Sequence, residues 1–389
     1  MTNRFIPLSV PNLKGNELQY VSHAVETEWV STAGPYVADF EKAVADYVGA
    51  PGAVACQSGT SGLHVALRLC GVEQGDLVLV PTLTFIAAVN PVTYLGADPV
   101  FMDCDDSLCM DPDKLAQFCE EECEVRDGTL VHKATGRRIP ALVVVHVFGN
   151  MADMERILPL AEKYHLKLIE DATEAIGTKY TAGPLKDRFA GTFGEFGVYS
   201  FNGNKIITTG GGGMIVSGKE ENLRRAKHLT TQAKADEANF IHDEIGYNYR
   251  LTNLQAALGL AQMEQLESFI SVKRSNYDLY CRELDAVNGL HILPFRSNIR
   301  GNCWFYALEC CEPYPFDPAG LIGLLKENQI QSRPIWGLIH EQKPYEGSLT
   351  YQIERASYYW RHIVNLPCST NLTAEDVHRV VQVIQNGAE

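Results

Sequence analysis

The sequence predicts an α/β fold, with a large, mostly parallel sheet covered by helices on both faces and a smaller C-terminal α+β domain. Three observations carry this. Short runs that are apolar at every position alternate with helical patterns through the first two-thirds of the chain, as strands buried on both faces require. After a long helical pattern that ends near residue 284, the alternation gives way to a different mix of elements. The length, 389 residues, corresponds to two or three average domains or to one large α/β domain with an appendage.

The elements follow in order. Ala53–Cys56 reads as a strand, followed by a helix from about Thr60 to Leu69 with Leu63, Ala66, Leu67 and Cys70 on one face. Leu77–Val80 is the next strand and Phe85–Leu95 the next helix. Then come Val100–Cys104, Ala141–Val147, a helix over Asp153–His165, and the strand Leu166–Glu170. Phe196–Phe201 and Met214–Val216 add two short strands. The polar, turn-rich stretch Glu120–Arg138 reads as an excursion between strands, with no chemistry of its own. A helical pattern runs from Arg250 to about Leu284. Beyond it Leu290–Leu293 and Trp304–Glu309 read as strands, and Pro318–Asn328 and Ala374–Gln385 as helices. The expected division is a large domain over residues 1–265 and a small one over 266–389.

Composition narrows the function. With 33 Lys+Arg against 48 Asp+Glu the formal charge is −15, and there is no basic run beyond pairs such as Arg137–Arg138. Nonspecific nucleic-acid binding needs clustered cations, so it is not expected. The N-terminal residues lack the apolar core of a leader peptide, and the longest apolar stretch, about Ile139 to Phe148, is too short to span a bilayer. A cytoplasmic protein with no membrane partner is the expectation. The eleven cysteines read as reduced core thiols. Cys104, Cys109, Cys119 and Cys123 are close in sequence but lack the paired spacing of a zinc site, so no metal is expected.

Three segments could carry chemistry. The first strand runs into Gln57-Ser58-Gly59-Thr60-Ser61-Gly62, which opens a helix. Small residues and free N–H groups suit a phosphate there, and an ordinary N-capped turn explains them equally well. The strand before Glu170-Asp171 leaves Asp171 at its C-terminal end, where open α/β sheets bind ligands. Lys205 lies between a strand and the run Gly210–Gly213, where partial desolvation would make its amine nucleophilic. No G-x-x-x-x-G-K-[ST] or G-x-G-x-x-G nucleotide signature occurs here. A phosphate turn, a strand-end Asp and a Gly-flanked Lys, in that order, are the parts that a pyridoxal phosphate site requires.

On these residues the chain resembles the DegT/DnrJ family of nucleotide-sugar aminotransferases, which are fold-type I pyridoxal 5'-phosphate (PLP) enzymes. The resemblance runs from Ile6-Pro7-Leu8 and Trp29-Val30-Ser31-Thr32 to the C-terminal helix. It implies that Gly59 and Thr60 bind the cofactor phosphate and that Phe85 stacks on its ring. It implies further that Asp171 pairs with the pyridinium, that Ser200 reaches the phosphate, and that Lys205 is the Schiff-base lysine. Asn248, in Gly246-Tyr247-Asn248-Tyr249-Arg250, would reach the phosphate of a partner subunit in a homodimer with shared active sites. Lys205 and Asp171 are thus the catalytic candidates.

Many members carry Gln or His three residues after the strand-end Asp, where this chain has Glu174. That feature resembles the branch acting on nucleotide-linked 4-keto-6-deoxy-N-acetylhexosamines. The long excursion resembles the legionaminic-acid and bacillosamine-type 4-aminotransferases. The resemblance therefore implies a transaminase that takes the amino group of L-glutamate and delivers it to C4 of the sugar. Glu174 would lie near the ring hydroxyl or the pyridinium edge, or simply serve as a helix-start carboxylate. Arg250 and His340 are candidates for sugar-nucleotide contact, and structural roles explain them equally well. Two alternatives remain: a sugar 3-dehydratase, against which Lys205 counts because those relatives carry histidine there, and a catalytically silent PLP-fold binding or regulatory protein.

Overall fold

Eight strands make the main sheet of the computed structural model, which describes residues 4–387. Met1, Thr2 and Asn3, the start of the stretch considered for a leader, lie outside them. From one edge the strands are Ala53–Cys56, Gly213–Val216, Phe196–Ser200, Lys167–Asp171, Ala141–Val145, Leu77–Pro81, Asp98–Met102 and Leu349–Tyr351. All pairings are parallel except those of Gly213–Val216, which runs antiparallel to both its neighbours. The central strands Leu77–Pro81, Ala141–Val145 and Phe196–Ser200 are buried at every position. Their uninterrupted apolar character follows from helices packing on both faces.

Parallel strands all end on the same edge, so the segments after them converge. Asp171 ends one strand and Ser200 another, while Cys56 leads directly into the helix Gly59–Leu69. Sheet topology alone gathers these three segments.

A four-stranded antiparallel sheet follows, in the order Leu290–Ile292, Tyr306–Cys310, Ile363–Leu366, Arg333–Pro334. Neither end of the chain respects a division at residue 265. Leu349–Tyr351 joins the edge of the large sheet beside Asp98–Met102. Conversely, the Cys368 N–H donates to the Leu8 carbonyl at 2.8 Å, and the Ile6 N–H to that of Gln329 at 2.9 Å, so the N-terminal segment packs along the later part of the chain.

The long helix expected after Arg250 is two helices, Asn253–Met263 and Leu266–Leu284. The backbone breaks at Gln265, whose side-chain amide donates to Glu17 at 2.7 Å. The helix expected over Phe85–Leu95 is a 3-10 turn, Ile86–Ala88, and a short helix, Asn90–Tyr94. Phe85 itself is extended, with φ −74° and ψ 138°, and leads into the 3-10 turn, while Pro91 sits in the first turn of the second helix. The excursion is ordered as a three-stranded antiparallel sheet, Cys123–Arg126, Thr129–His132 and Arg138–Ile139. Its first hairpin turns on Asp127-Gly128, both at positive φ. Cys104, Cys109, Cys119 and Cys123 are packed into the hydrophobic core, and burial pushes the Cys109 thiol up to about 12. No helix among the described residues is long and apolar enough to cross a membrane.

Candidate active site

The helix Gly59–Leu69 begins with a capping box. The Ser58 hydroxyl accepts the Ser61 N–H at 3.1 Å, and the Ser61 hydroxyl accepts the Ser58 N–H at 3.1 Å. Those two donors are thereby satisfied, and the N–H groups of Gly59 and Thr60 remain at the positive end of the helix. A β-carbon at Gly59 would come within 2.8 Å of Thr173 Cγ2 and 3.1 Å of Ser200 Cβ, so only glycine lets the three segments meet. Gly213 is equally constrained, since a β-carbon there would lie 2.6 Å from the Ser58 carbonyl carbon. The capping and phosphate readings of this turn are therefore compatible, because the cap uses two donors and leaves two.

These segments surround one cavity of about 780 Å³. Gly59, Thr60, Phe85, Asp171, Glu174, Ser200 and Lys205 all line it. Asp171 is 4% exposed and accepts the Thr173 N–H at 3.0 Å. Its burial pushes the carboxyl above its ordinary range, while the Thr173 donors and the nearby Lys205 pull it back. Phe85 is 55% exposed and lines the cavity, so its ring is free to pack against a bound ligand.

Lys205 Nζ stands 3.6 Å from Glu174 Oε1 and 4.1 Å from the centre of the Trp304 ring. Glu174 also accepts the Phe148 N–H at 2.8 Å, and burial lifts its carboxyl to about 7. Trp304 was legible only as part of a strand. It lies just ahead of Tyr306–Cys310 and is fixed at three points. Its backbone N–H donates to Asn302 Oδ1 at 3.0 Å, its carbonyl accepts Lys273 Nζ at 3.0 Å, and its indole N–H donates to the Asn204 carbonyl at 2.7 Å. Asn302 in turn donates to the carbonyls of Glu174 and Ile176, at 2.8 and 2.9 Å. Lys205, Glu174 and Trp304 are thus held by one network.

Three expected residues are not on the cavity wall. His340 Nδ1 is hydrogen-bonded to the Thr82 hydroxyl at 2.6 Å, which ties a 3-10 turn to the end of a core strand. Arg250 reaches Gln232 Oε1 at 3.4 Å. Within the chain, neither takes the substrate-facing place expected of it. Asn248 is exposed, in a segment tethered to the helix start by the Gln57 N–H, which donates to the Tyr249 carbonyl at 2.8 Å. Arg333, Asn365 and Trp336 line the cavity without having been singled out from the sequence.

The donors fit pyridoxal 5'-phosphate. A glycine-only cradle with two free N–H groups and the Ser200 hydroxyl suits a phosphate. A buried carboxyl and an amine on the same wall suit a protonated ring nitrogen and an aldehyde.

Comparison with known proteins agrees. The chain is 36% identical over 384 residues to EpsN of Bacillus subtilis (strain 168), covering 97% of this chain and 95% of that one. It is 34% identical over 381 residues to the GDP-perosamine synthase of Escherichia coli O157:H7, covering 98% of each. A crystal structure of a DegT DnrJ EryC1 StrS aminotransferase from Brucella abortus superposes with a TM-score of 0.86 at 26% identity, over 96% of this chain and 95% of that one. Residues 11–385 match the DegT/DnrJ/EryC1/StrS aminotransferase family, to which this chain belongs as a PLP-dependent aminotransferase acting on nucleotide sugars.

Proposed function

We propose that this enzyme moves the amino group of L-glutamate to C4 of a nucleotide-linked 4-keto-6-deoxy-N-acetylhexosamine, giving a 4-amino sugar of the legionaminic-acid or bacillosamine type. The observation that carries the catalytic part is the meeting of Lys205, Glu174, Asp171 and the Gly59–Thr60 helix start around one cavity. The sugar class rests on Glu174 and on the long excursion at 120–138.

When bound, the cofactor supplies an electron sink for the bonds at the amino-bearing carbon. The N–H groups of Gly59 and Thr60 and the Ser200 hydroxyl bind its phosphate, and Phe85 packs against its ring. The Asp171 carboxylate holds a proton on the pyridine nitrogen. Lys205 Nζ, on the cavity wall, would be the amine that holds the cofactor's aldehyde carbon. The same Nζ would serve as the base at Cα of the donor in the first half-reaction and as the acid at C4 of the sugar in the second, giving up and regaining its proton at the cofactor in between. Glu174, 3.6 Å from Nζ, would stabilise the ammonium that forms transiently within each half-reaction. Asn248, exposed beside the helix start, reaches the phosphate site of a second copy, which makes the working unit a homodimer.

The experiment is a panel of UDP- and GDP-linked 4-keto sugars, with and without an N-acetyl group, incubated with L-glutamate while 2-oxoglutarate release is followed. Turnover should be highest with the N-acetylated 4-keto substrate. A preference for GDP-linked sugars lacking the acetamido group, as the similarity to GDP-perosamine synthase would favour, overturns the substrate assignment. Borohydride should fix the cofactor to the peptide bearing Lys205. Labelling elsewhere overturns the role given to that lysine.

A further inference from the structure

We infer that Arg333 and Asn365 form an oxyanion subsite in the cavity, taking a phosphate or carboxylate of the substrates. Four charged side chains line the cavity: Asp171, Glu174, Lys205 and Arg333. Lys205 is engaged by Glu174 and Trp304. Arg333 is exposed and has no carboxylate within ion-pairing distance among the described residues. In a chain of net charge −15, a cavity cation without a counterion is a local attractor for an anion.

The backbone sets the pair. Arg333–Pro334 is the edge strand of the four-stranded sheet and pairs antiparallel with Ile363–Leu366, with Arg333 directly opposite Asn365. Residues opposite one another in such a pair present their side chains to the same face, and both of these line the cavity. Asn365 is only 5% exposed. Its amide nitrogen donates to the Pro334 carbonyl at 3.4 Å, which leaves Oδ1 buried with no partner among the described residues. A buried acceptor without a donor is costly, so this oxygen is built to meet a ligand hydroxyl or N–H. A guanidinium fork beside an amide oxygen recognises an oxyanion flanked by a hydrogen-bond donor.

Both substrates of the proposed reaction have that character. A nucleoside diphosphate carries phosphates beside hydroxyls, and an amino acid carries a carboxylate beside an amine. The subsite rests on that reading of the function.

The test is a titration of UDP, GDP and glutarate into borohydride-reduced holoprotein, read as quenching of tryptophan emission from the cavity wall. Wild type should bind with an affinity that weakens as salt rises. Arg333→Gln should raise Kd about tenfold or more with cofactor content unchanged, since a charge-assisted bond is lost. Arg333→Lys should fall between, because it keeps the charge without the fork. Asn365→Ala should raise Kd severalfold. A loss confined to UDP and GDP assigns the subsite to phosphate, and one confined to glutarate assigns it to the donor's carboxylate. Unchanged affinity of Arg333→Gln for all three overturns the subsite and leaves the aminotransferase reading standing. A wild type that binds none of them and does not transaminate removes both.

Discussion

Trp304 donates its indole N–H to the carbonyl of Asn204 at 2.7 Å, one residue before the lysine whose amine its ring faces at 4.1 Å. The same side chain therefore fixes the backbone leading into Lys205 and stabilises the ammonium at its tip. The two contributions can be separated. Trp304→Phe keeps a π-face and loses the N–H, while Trp304→Leu loses both. A desolvated cation–π contact is worth up to about 2 kcal/mol, so Trp304→Leu should lower kcat by about 10- to 30-fold and Trp304→Phe by less. The KM for the keto sugar should be unchanged in both. Equal kcat in wild type and Trp304→Leu would show that the indole has no part in holding the lysine.

Lys205→Arg tests whether charge or nucleophilicity matters at that position. A guanidinium preserves the ion pair with Glu174, so the melting temperature should hold within a few degrees. Arginine stays protonated and cannot serve as an amine or accept a proton. Activity should fall by about 10³-fold or more, in the range of a lost acid–base group. Retention of more than a tenth of wild-type turnover would rule out Lys205 as the proton carrier.

Glu174 gives a pH signature in the cofactor-free protein. Burial raises its carboxyl from 4.5 to about 7. Between those values the folded chain holds a proton that the unfolded chain has lost, so this group's contribution favours folding at low pH and is lost as pH rises through about 7. The whole effect is at most about 3 kcal/mol. Glu174→Gln cannot ionise and keeps an oxygen for the Phe148 N–H. Its stability should therefore fall less than that of wild type between about pH 5 and about pH 8, as measured by urea unfolding. Parallel pH profiles for the two proteins would contradict the raised carboxyl.

What the sequence revealed and what it hid follow from the range of the interactions concerned. Phe196–Ser200 and Ala141–Val145 could be read because strands buried on both faces are apolar throughout. The helix start at Gly59 could be read because capping is local. The break at Gln265 could not, since it depends on a bond to Glu17, far away in sequence. Leu349–Tyr351 was invisible for the same reason, as only the exposed edge of Asp98–Met102 makes it a strand. Asp127-Gly128 was a legible hairpin signal that passed as generic turn chemistry. His340 attracted attention as a histidine, yet its partner Thr82 is 258 positions away. Arg333 gave no local signal at all. A lone arginine becomes notable only once the fold shows that it faces a cavity without a counterion.

Gly59 offers the sharpest link between packing and cofactor binding. A β-carbon at this position would press on Thr173 Cγ2 at 2.8 Å and on Ser200 Cβ at 3.1 Å, both on residues of the cavity wall. Overpacking of this kind costs about 1–3 kcal/mol. Here the strain falls on the phosphate cradle, so it should appear mainly as weakened cofactor binding. Gly59→Ala is expected to lose PLP on dialysis, with an apparent Kd raised about tenfold or more, and to regain activity in excess cofactor. Thr173→Ser removes the nearer of the two clashing atoms. The double variant Gly59→Ala/Thr173→Ser should therefore bind PLP more tightly than Gly59→Ala alone, a coupling that two independent sites would lack. Additive losses in the pair would mean that the contact with Thr173 is not what weakens cofactor binding.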